Sequence, residues 1–208
     1  MLRLLVATTN PDKLREIRGI LGHLPVEMLT LRDRAPVPEP EETGATFSEN
    51  ARLKALYYDG CLTERGTDRP YTVAEDSGLV IDALDGEPGV HSARFLRPDA
   101  SYPERFADIY RRLDEAPTRA RSARFICALA VAHEGTVIYE TTGTVEGVIA
   151  DQPYGEGGFG YDPIFYYPPY GRTLAVVTEE AKVRVAHRGE AFRRFAVWLE
   201  QSIQHDDL

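Results

Sequence analysis

The sequence predicts an α/β protein built on a mixed sheet. Three observations predict it: a short apolar strand at residues 4–7 opening directly into a helix, two long β-rich runs meeting at Glu134-Gly135, and helical patterns interspersed among them. Parallel strands need crossover helices and hairpins make antiparallel pairs, so the combination gives a mixed sheet with flanking helices.

Each element has a local cause. The N-terminal run Met1–Ala7 is apolar but too short for a signal peptide's core or a membrane span, and reads as a first buried strand. Asn10 and Pro11 then mark a helix start, because Asn caps free amides and Pro sits where a missing N–H costs nothing. Leu14, Ile17 and Leu21 follow at helical spacing. Three alternating prolines in residues 35–42 favour an extended acidic loop. Thr46-Phe47-Ser48-Glu49 has the form of a capping box. The stripe Phe47, Ala51, Ala55 and Tyr58 after it leaves Asn50 and Lys54 together on a neighbouring face.

Residues 71–74 and 79–84 read as strands interrupted by Glu75-Asp76-Ser77-Gly78, and residues 102–113 as a helix. Residues 123–133 and 136–149 form the hairpin arms, and apolar spacing predicts a last helix over about 190–203. Disorder is expected only in the tail 204–208.

The whole chain of 208 residues is expected to act as a single domain, either one large body or two tightly joined lobes. Hydrophobic residues at 43% and charged residues at 27% describe an ordinary globular protein. Cys61 and Cys127 form no C-x-x-C pair, which points to a reduced, cytoplasmic setting without a zinc site or disulfide framework. A net charge of −9 argues against a nucleic-acid partner, whose binding needs a basic face, while leaving a small anionic substrate open. No membrane partner is expected.

Five segments could carry chemistry. In Thr8-Thr9-Asn10-Pro11-Asp12-Lys13, a strand end opens into a helix whose amides and dipole favour an anion, although ordinary capping has the same composition. No Walker A loop occurs. Glu75-Asp76-Ser77-Gly78 can present one carboxylate to a metal and another behind it, or simply make a turn. Glu41 and Glu42 supply a second acidic pair.

The run from Gly155 to Gly160 matches G-x-G-x-x-G, but it leads into a turn and a strand rather than a helix, so it is not a dinucleotide fingerprint. With Phe159 and Tyr161 it fits either close approach to a flat ligand or a wide turn with core aromatics. Finally, Lys182, His187 and Arg188 place donors before the last helix. No nucleophile motif accompanies His187, and His23, His91, His133 and His205 lack metal-ligand spacing.

Taken in order, these segments resemble the inosine triphosphate pyrophosphatase family, which removes non-standard purine nucleotides. The pieces are Ala7-Thr8-Thr9-Asn10, Lys13 and Glu16; Glu41-Glu42-Thr43-Gly44, Thr46-Phe47, Glu49-Asn50-Ala51 and Lys54-Ala55; Glu75-Asp76-Ser77-Gly78-Leu79; Gly89-Val90 and Ser92-Ala93-Arg94; the run from Gly157 to Phe165; and His187-Arg188-Gly189. The likeness runs nearly end to end.

The resemblance implies an elongated mixed sheet with flanking helices, two lobes around a deep nucleotide-binding cleft, and a homodimer. It implies Mg²⁺-dependent hydrolysis of ITP, dITP or XTP to the monophosphate and pyrophosphate. Action on pyrimidine or modified nucleotides, or nucleotide sensing without turnover, are the alternatives. Carried onto matching positions, Thr8, Thr9, Asn10, Lys13 and Lys54 would hold the triphosphate, with Ser77 beside it. Asp76 would activate water and bind Mg²⁺ with Glu41. Phe159 would stack on the base, within a pocket of Gly160, Tyr161, Asp162, Lys182, His187 and Arg188. The chain departs from many relatives at Glu75, Asp12 and Ala186, where Asp, Gly and Ser are common.

Overall fold

The computed structural model describes residues 2–64, 66–118 and 120–205. Of the tail expected to be disordered, Asp206–Leu208 lie outside the described residues, and residues 204–205 end a helix. The elements are β1 (Leu2–Val6), α1 (Pro11–Leu21), β2 (Val26–Thr30), α2 (Phe47–Gly60), β3 (Tyr71–Ile81), α3 (Tyr102–Glu115), β4 (Ser122–His133), β5 (Thr136–Ile149), β6 (Phe165–Tyr167), β7 (Arg172–Thr173), α4 (Glu179–Val185) and α5 (His187–His205). The strands are hydrogen-bonded in the order β2-β1-β3-β4-β5-β6-β7. β1 runs parallel to β2 and β3, whereas β6 runs antiparallel to β5 and β7, so the sheet is mixed as expected.

The local signals work as read. Asn10 Oδ1 accepts from the amides of Asp12 and Lys13 at the start of α1, with Pro11 as its first residue. In α2, Thr46 Oγ1 accepts from the Glu49 amide while the Glu49 carboxylate accepts from the Thr46 amide. Between β4 and β5, Glu134 and Gly135 take φ of 51° and 78°. Two positive values in a row are what the tightest hairpin turn requires.

Three expectations change. Glu75–Gly78 does not interrupt a strand: β3 is continuous, buried on both faces between β1 and β4, and gives way to a 3₁₀ turn at Asp82–Leu84. A strand covered on both sides can hold acids only where opposite charges meet them. The last helix starts at His187, because the preceding helix α4, not foreseen, ends on extended backbone at Ala186.

The described residues fall into two compact units. One gathers those of Met1–Asp76, Cys127–Gly143 and Arg188–Leu208. Its buried residues include Leu4, Leu5 and Val6 of β1, Ile17 and Leu21 of α1, Ala51 and Ala55 of α2, and Phe192, Phe195 and Leu199 of α5. Tyr139 of β5 stacks on Trp198 of α5 with ring centroids 4.5 Å apart.

The other unit gathers Ser77–Ile126 and Thr144–His187. Its core joins Leu79 and Ile81 of β3, Phe106, Ile109 and Leu113 of α3, Phe125 of β4, and Ile164, Phe165 and Leu174. No helix among the described residues is long and apolar enough to cross a membrane.

Candidate active site

Side chains alternate along a strand, so Glu75 and Asp76 point to opposite faces of β3. Each is nearly buried, and each meets its own cations.

On the Asp76 side, α2 supplies two partners one helical turn apart. Lys54 Nζ donates to Asp76 Oδ1 at 2.8 Å, and Asn50 Nδ2 donates to Asp76 Oδ2 at 3.3 Å. The same ammonium donates to Glu42 Oε1 at 2.9 Å. Asn50 also holds the loop carrying Glu42, since its Oδ1 accepts from the Gly44 amide at 2.8 Å. A side chain at residue 44 would crowd Asn50 Oδ1 and Glu49 Cβ at 2.7 Å, so this approach needs glycine.

Burial raises the pKa of Asp76, helped by Glu42 and Glu75 and opposed by Lys54. Burial works against the charge of Lys54, but Asp76, Glu75 and Glu42 outweigh it and keep the ammonium protonated. A carboxylate with raised proton affinity, next to a cation, is suited to accept a proton from water.

On the other face, Glu75 meets Lys13 of α1 at 2.7 Å and Arg188 of α5 at 3.3 Å. Arg188 Nη1 also donates to Glu16 Oε2 at 2.7 Å. The Cys127 thiol donates weakly to Glu75 at 3.5 Å. Burial pushes Glu75 up, but Arg188, Lys13 and Lys54 together hold it well below the usual carboxylate range. Burial and Glu75 push the Cys127 thiol well up, so it stays protonated and inert.

The second unit holds a separate buried ion pair. Lys182 Nζ of α4 donates to Asp162 Oδ2 at 2.6 Å, and that oxygen also accepts from the Phe159 amide at 2.8 Å. The ammonium lies 4.3 Å from the Phe159 ring centroid, a cation–π contact that fixes the half-buried ring. His187 stacks on Phe125 at 4.9 Å. Ser92 Oγ accepts from the Leu79 amide and donates to Gly89 O, which ties the Gly89–Arg94 segment to β3 and explains why glycine stands at 78.

The structure gives the other candidate residues these surroundings. Glu41 is exposed, and it is Glu42 that shares Lys54 with Asp76. Arg188 belongs to the buried Glu16–Glu75 group in the first turn of α5, where two carboxylates claim its fork. Tyr161 is a core aromatic whose hydroxyl donates to Ser92 O at 2.8 Å. The close backbone approach of the glycine run is to its own chain, because Gly157 N donates to Ala175 O and a Cβ on Gly158 would collide with Asp162. The amides of Asp12 and Lys13 are taken by Asn10, and Thr9 Oγ1 donates to Glu39 at 2.9 Å. Ser77 and Gly160 are partly exposed, on β3 and in the glycine run.

Asn50, Glu42 and Glu16 have no role assigned by the resemblance, although Glu42 is half of the second acidic pair. Helical spacing carried a signal for two of them: Asn50 is four residues before Lys54, and Glu16 three after Lys13.

Comparison with known proteins agrees with the family resemblance. A family model described as the Ham1 family matches residues 4–198. A dITP/XTP pyrophosphatase of Geobacillus kaustophilus is 44% identical, over 98% of this chain and 97% of that protein. One of Geobacter sulfurreducens is 46% identical, over 92% and 93%. The solved structure of a HAM1 protein from Coxiella burnetii superposes with a TM-score of 0.86 at 35% identity, covering 97% of this chain and all of that one.

Proposed function

The chain belongs to the Ham1 family, and from that premise we propose that it hydrolyses non-standard purine nucleoside triphosphates, dITP, XTP and ITP, to the monophosphate and pyrophosphate. Its reaction would clear such nucleotides from the pool used for synthesis. The whole chain would act as one catalytic domain. The observation that carries this reading is the buried Asp76 carboxylate, proton-seeking and ion-paired to Lys54 beside Glu42.

Asp76 takes a proton from water, whose oxygen bonds to one of the two phosphorus atoms flanking the α–β bridge. The bond from that phosphorus to the bridging oxygen breaks, and the two halves separate as the monophosphate and pyrophosphate. Such transfer asks for positioning and charge neutralisation rather than a covalent nucleophile, which accounts for the missing nucleophile motif. Lys54 and Lys13 would neutralise phosphate oxygens, and the hydroxyls of Thr8, Thr9 and Ser77 would donate to them. The Lys182–Asp162 pair holds Phe159 for stacking on the base. A donor from this group suits the 6-keto oxygen, whereas adenine's amino group would leave it unpaired.

Mg²⁺ is part of the proposal. Asp76 and Glu42 supply hard oxygen donors that converge on one cation, now Lys54 Nζ. Among the described residues no group of three acids, histidines or cysteines could hold a metal. The carboxylate pair fits Mg²⁺, which is held by one or two carboxylates and takes its other ligands from water and phosphate. Bound there, the ion would polarise a phosphoryl oxygen and offset a repulsion of about 4 kcal/mol per unit-charge pair at 4 Å.

The family resemblance supports assembly as a homodimer, and the free thiols of Cys61 and Cys127 support a cytoplasmic setting. Incubating the protein with dITP, XTP or ITP and Mg²⁺ should release pyrophosphate. Orthophosphate alone, or equal turnover of dTTP and UTP, would overturn the assignment.

A further inference from the structure

We propose that Lys54 is a built-in counter-ion that keeps Asp76 and Glu42 from taking up a divalent metal until a nucleotide's phosphates draw its ammonium away. This rests on the metal-assisted hydrolysis proposed above and adds an order of events to it.

The two acids are held together without Lys54. Asn50 joins Asp76 to the loop that carries Glu42, with its amide nitrogen on Asp76 and its oxygen on the Gly44 amide, two residues beyond Glu42. The acid pair is therefore preformed, and its charge must be met by something. Among the described residues Asp76 accepts from Asn50 and Lys54, of which only Lys54 is charged. A metal ion taking both carboxylates would need the place of the ammonium, and two like charges could not share it. Ammonium and metal therefore compete for the same oxygens.

The other lysine is placed differently. Lys13 also rests on an acid, Glu75, but Glu75 keeps Arg188 as a second buried cation. Lys13 can turn toward a phosphate while Glu75 keeps its ion pair with Arg188. When Lys54 leaves, Asp76 loses its only charged hydrogen-bond partner among the described residues. A flexible four-carbon stem lets Lys54 reach another acceptor while α2 stays in place. Nucleotide phosphates would be that acceptor, so nucleotide and metal should each raise the affinity of the other by the same factor.

The test is Mn²⁺ binding to the nucleotide-free protein, followed by electron paramagnetic resonance, with folding checked by circular dichroism. Lys54→Met should bind Mn²⁺ at least about tenfold more tightly than wild type. Lys54→Arg, which keeps the charge, should stay within about twofold of wild type. Adding Asp76→Asn to Lys54→Met should abolish the gain. A non-hydrolysable dITP analogue should tighten Mn²⁺ binding to the wild type.

Equal affinity in wild type and Lys54→Met overturns the counter-ion role. If that occurs while Asp76→Asn still weakens binding and dITP still yields pyrophosphate, the functional reading stands and this inference alone fails. If Asp76→Asn changes no Mn²⁺ affinity and no pyrophosphate appears, both fail.

Discussion

The guanidinium of Arg188 joins Glu16 and Glu75, 172 and 113 residues earlier in the chain, in one buried charge group. Breaking a buried pair from one side leaves an uncompensated charge, which costs roughly 3–5 kcal/mol. Arg188→Met should therefore lose about that much stability in urea unfolding. Arg188→Lys should fall between the two proteins, since a point charge cannot serve two carboxylates as a fork does. A loss under about 1 kcal/mol in Arg188→Met would show that the group is not structural.

The same group sets an acid limit. The pKa of Glu75 is lowered on folding, because Arg188, Lys13 and Lys54 outweigh its burial. Over the window below its ordinary value of 4.5, the unfolded chain binds the proton that the native state refuses. Stability from Glu75 is thus present above that value and lost as pH falls toward the native pKa. Glu75→Gln should flatten the fall of the urea midpoint below about pH 4.5. An unchanged acid limb would remove Glu75 as its cause.

Asp76→Asn keeps the shape of the side chain but cannot accept the proton. We expect kcat for dITP to fall roughly 10²- to 10⁴-fold, the span for losing a general base. Steady-state pyrophosphate release measures it, and near-wild-type turnover would move the base elsewhere.

Phe159→Ala removes the ring that Lys182 and Asp162 hold in place. Stacking on a base is worth about 1–3 kcal/mol. If Phe159 stacks on the base before and during reaction alike, KM should rise roughly 5- to 150-fold with kcat little changed. A fall in kcat at constant KM would contradict a binding role.

Gly158→Ala tests the glycine run. Residue 158 has φ of +70°, and a Cβ there would collide with Asp162 Oδ2, the oxygen held by Lys182 and the Phe159 amide. The variant should lose more than about 1 kcal/mol in urea unfolding and carry the Phe159→Ala rise in KM. Wild-type values in both would mean that the loop tolerates a side chain.

Local signals in the sequence determined much of this protein. The Asn10 cap, the Thr46–Glu49 box and the Glu134-Gly135 turn each involve groups within a few residues of one another, so pattern alone exposed them. The pairing of Asn50 and Lys54 on one helical face was legible for the same reason. What only the tertiary structure decided is where the charges go. Asp76 and Glu75 looked like turn residues because acids rarely lie inside a buried strand. Lys54 from α2, and Lys13 and Arg188 from opposite ends of the chain, make that burial possible. For the same reason Glu42 rather than Glu41 stands with Asp76, and Arg188 joins Glu16 and Glu75. Desolvation is offset only by partners brought from far along the chain, and spacing within a segment carries no record of them.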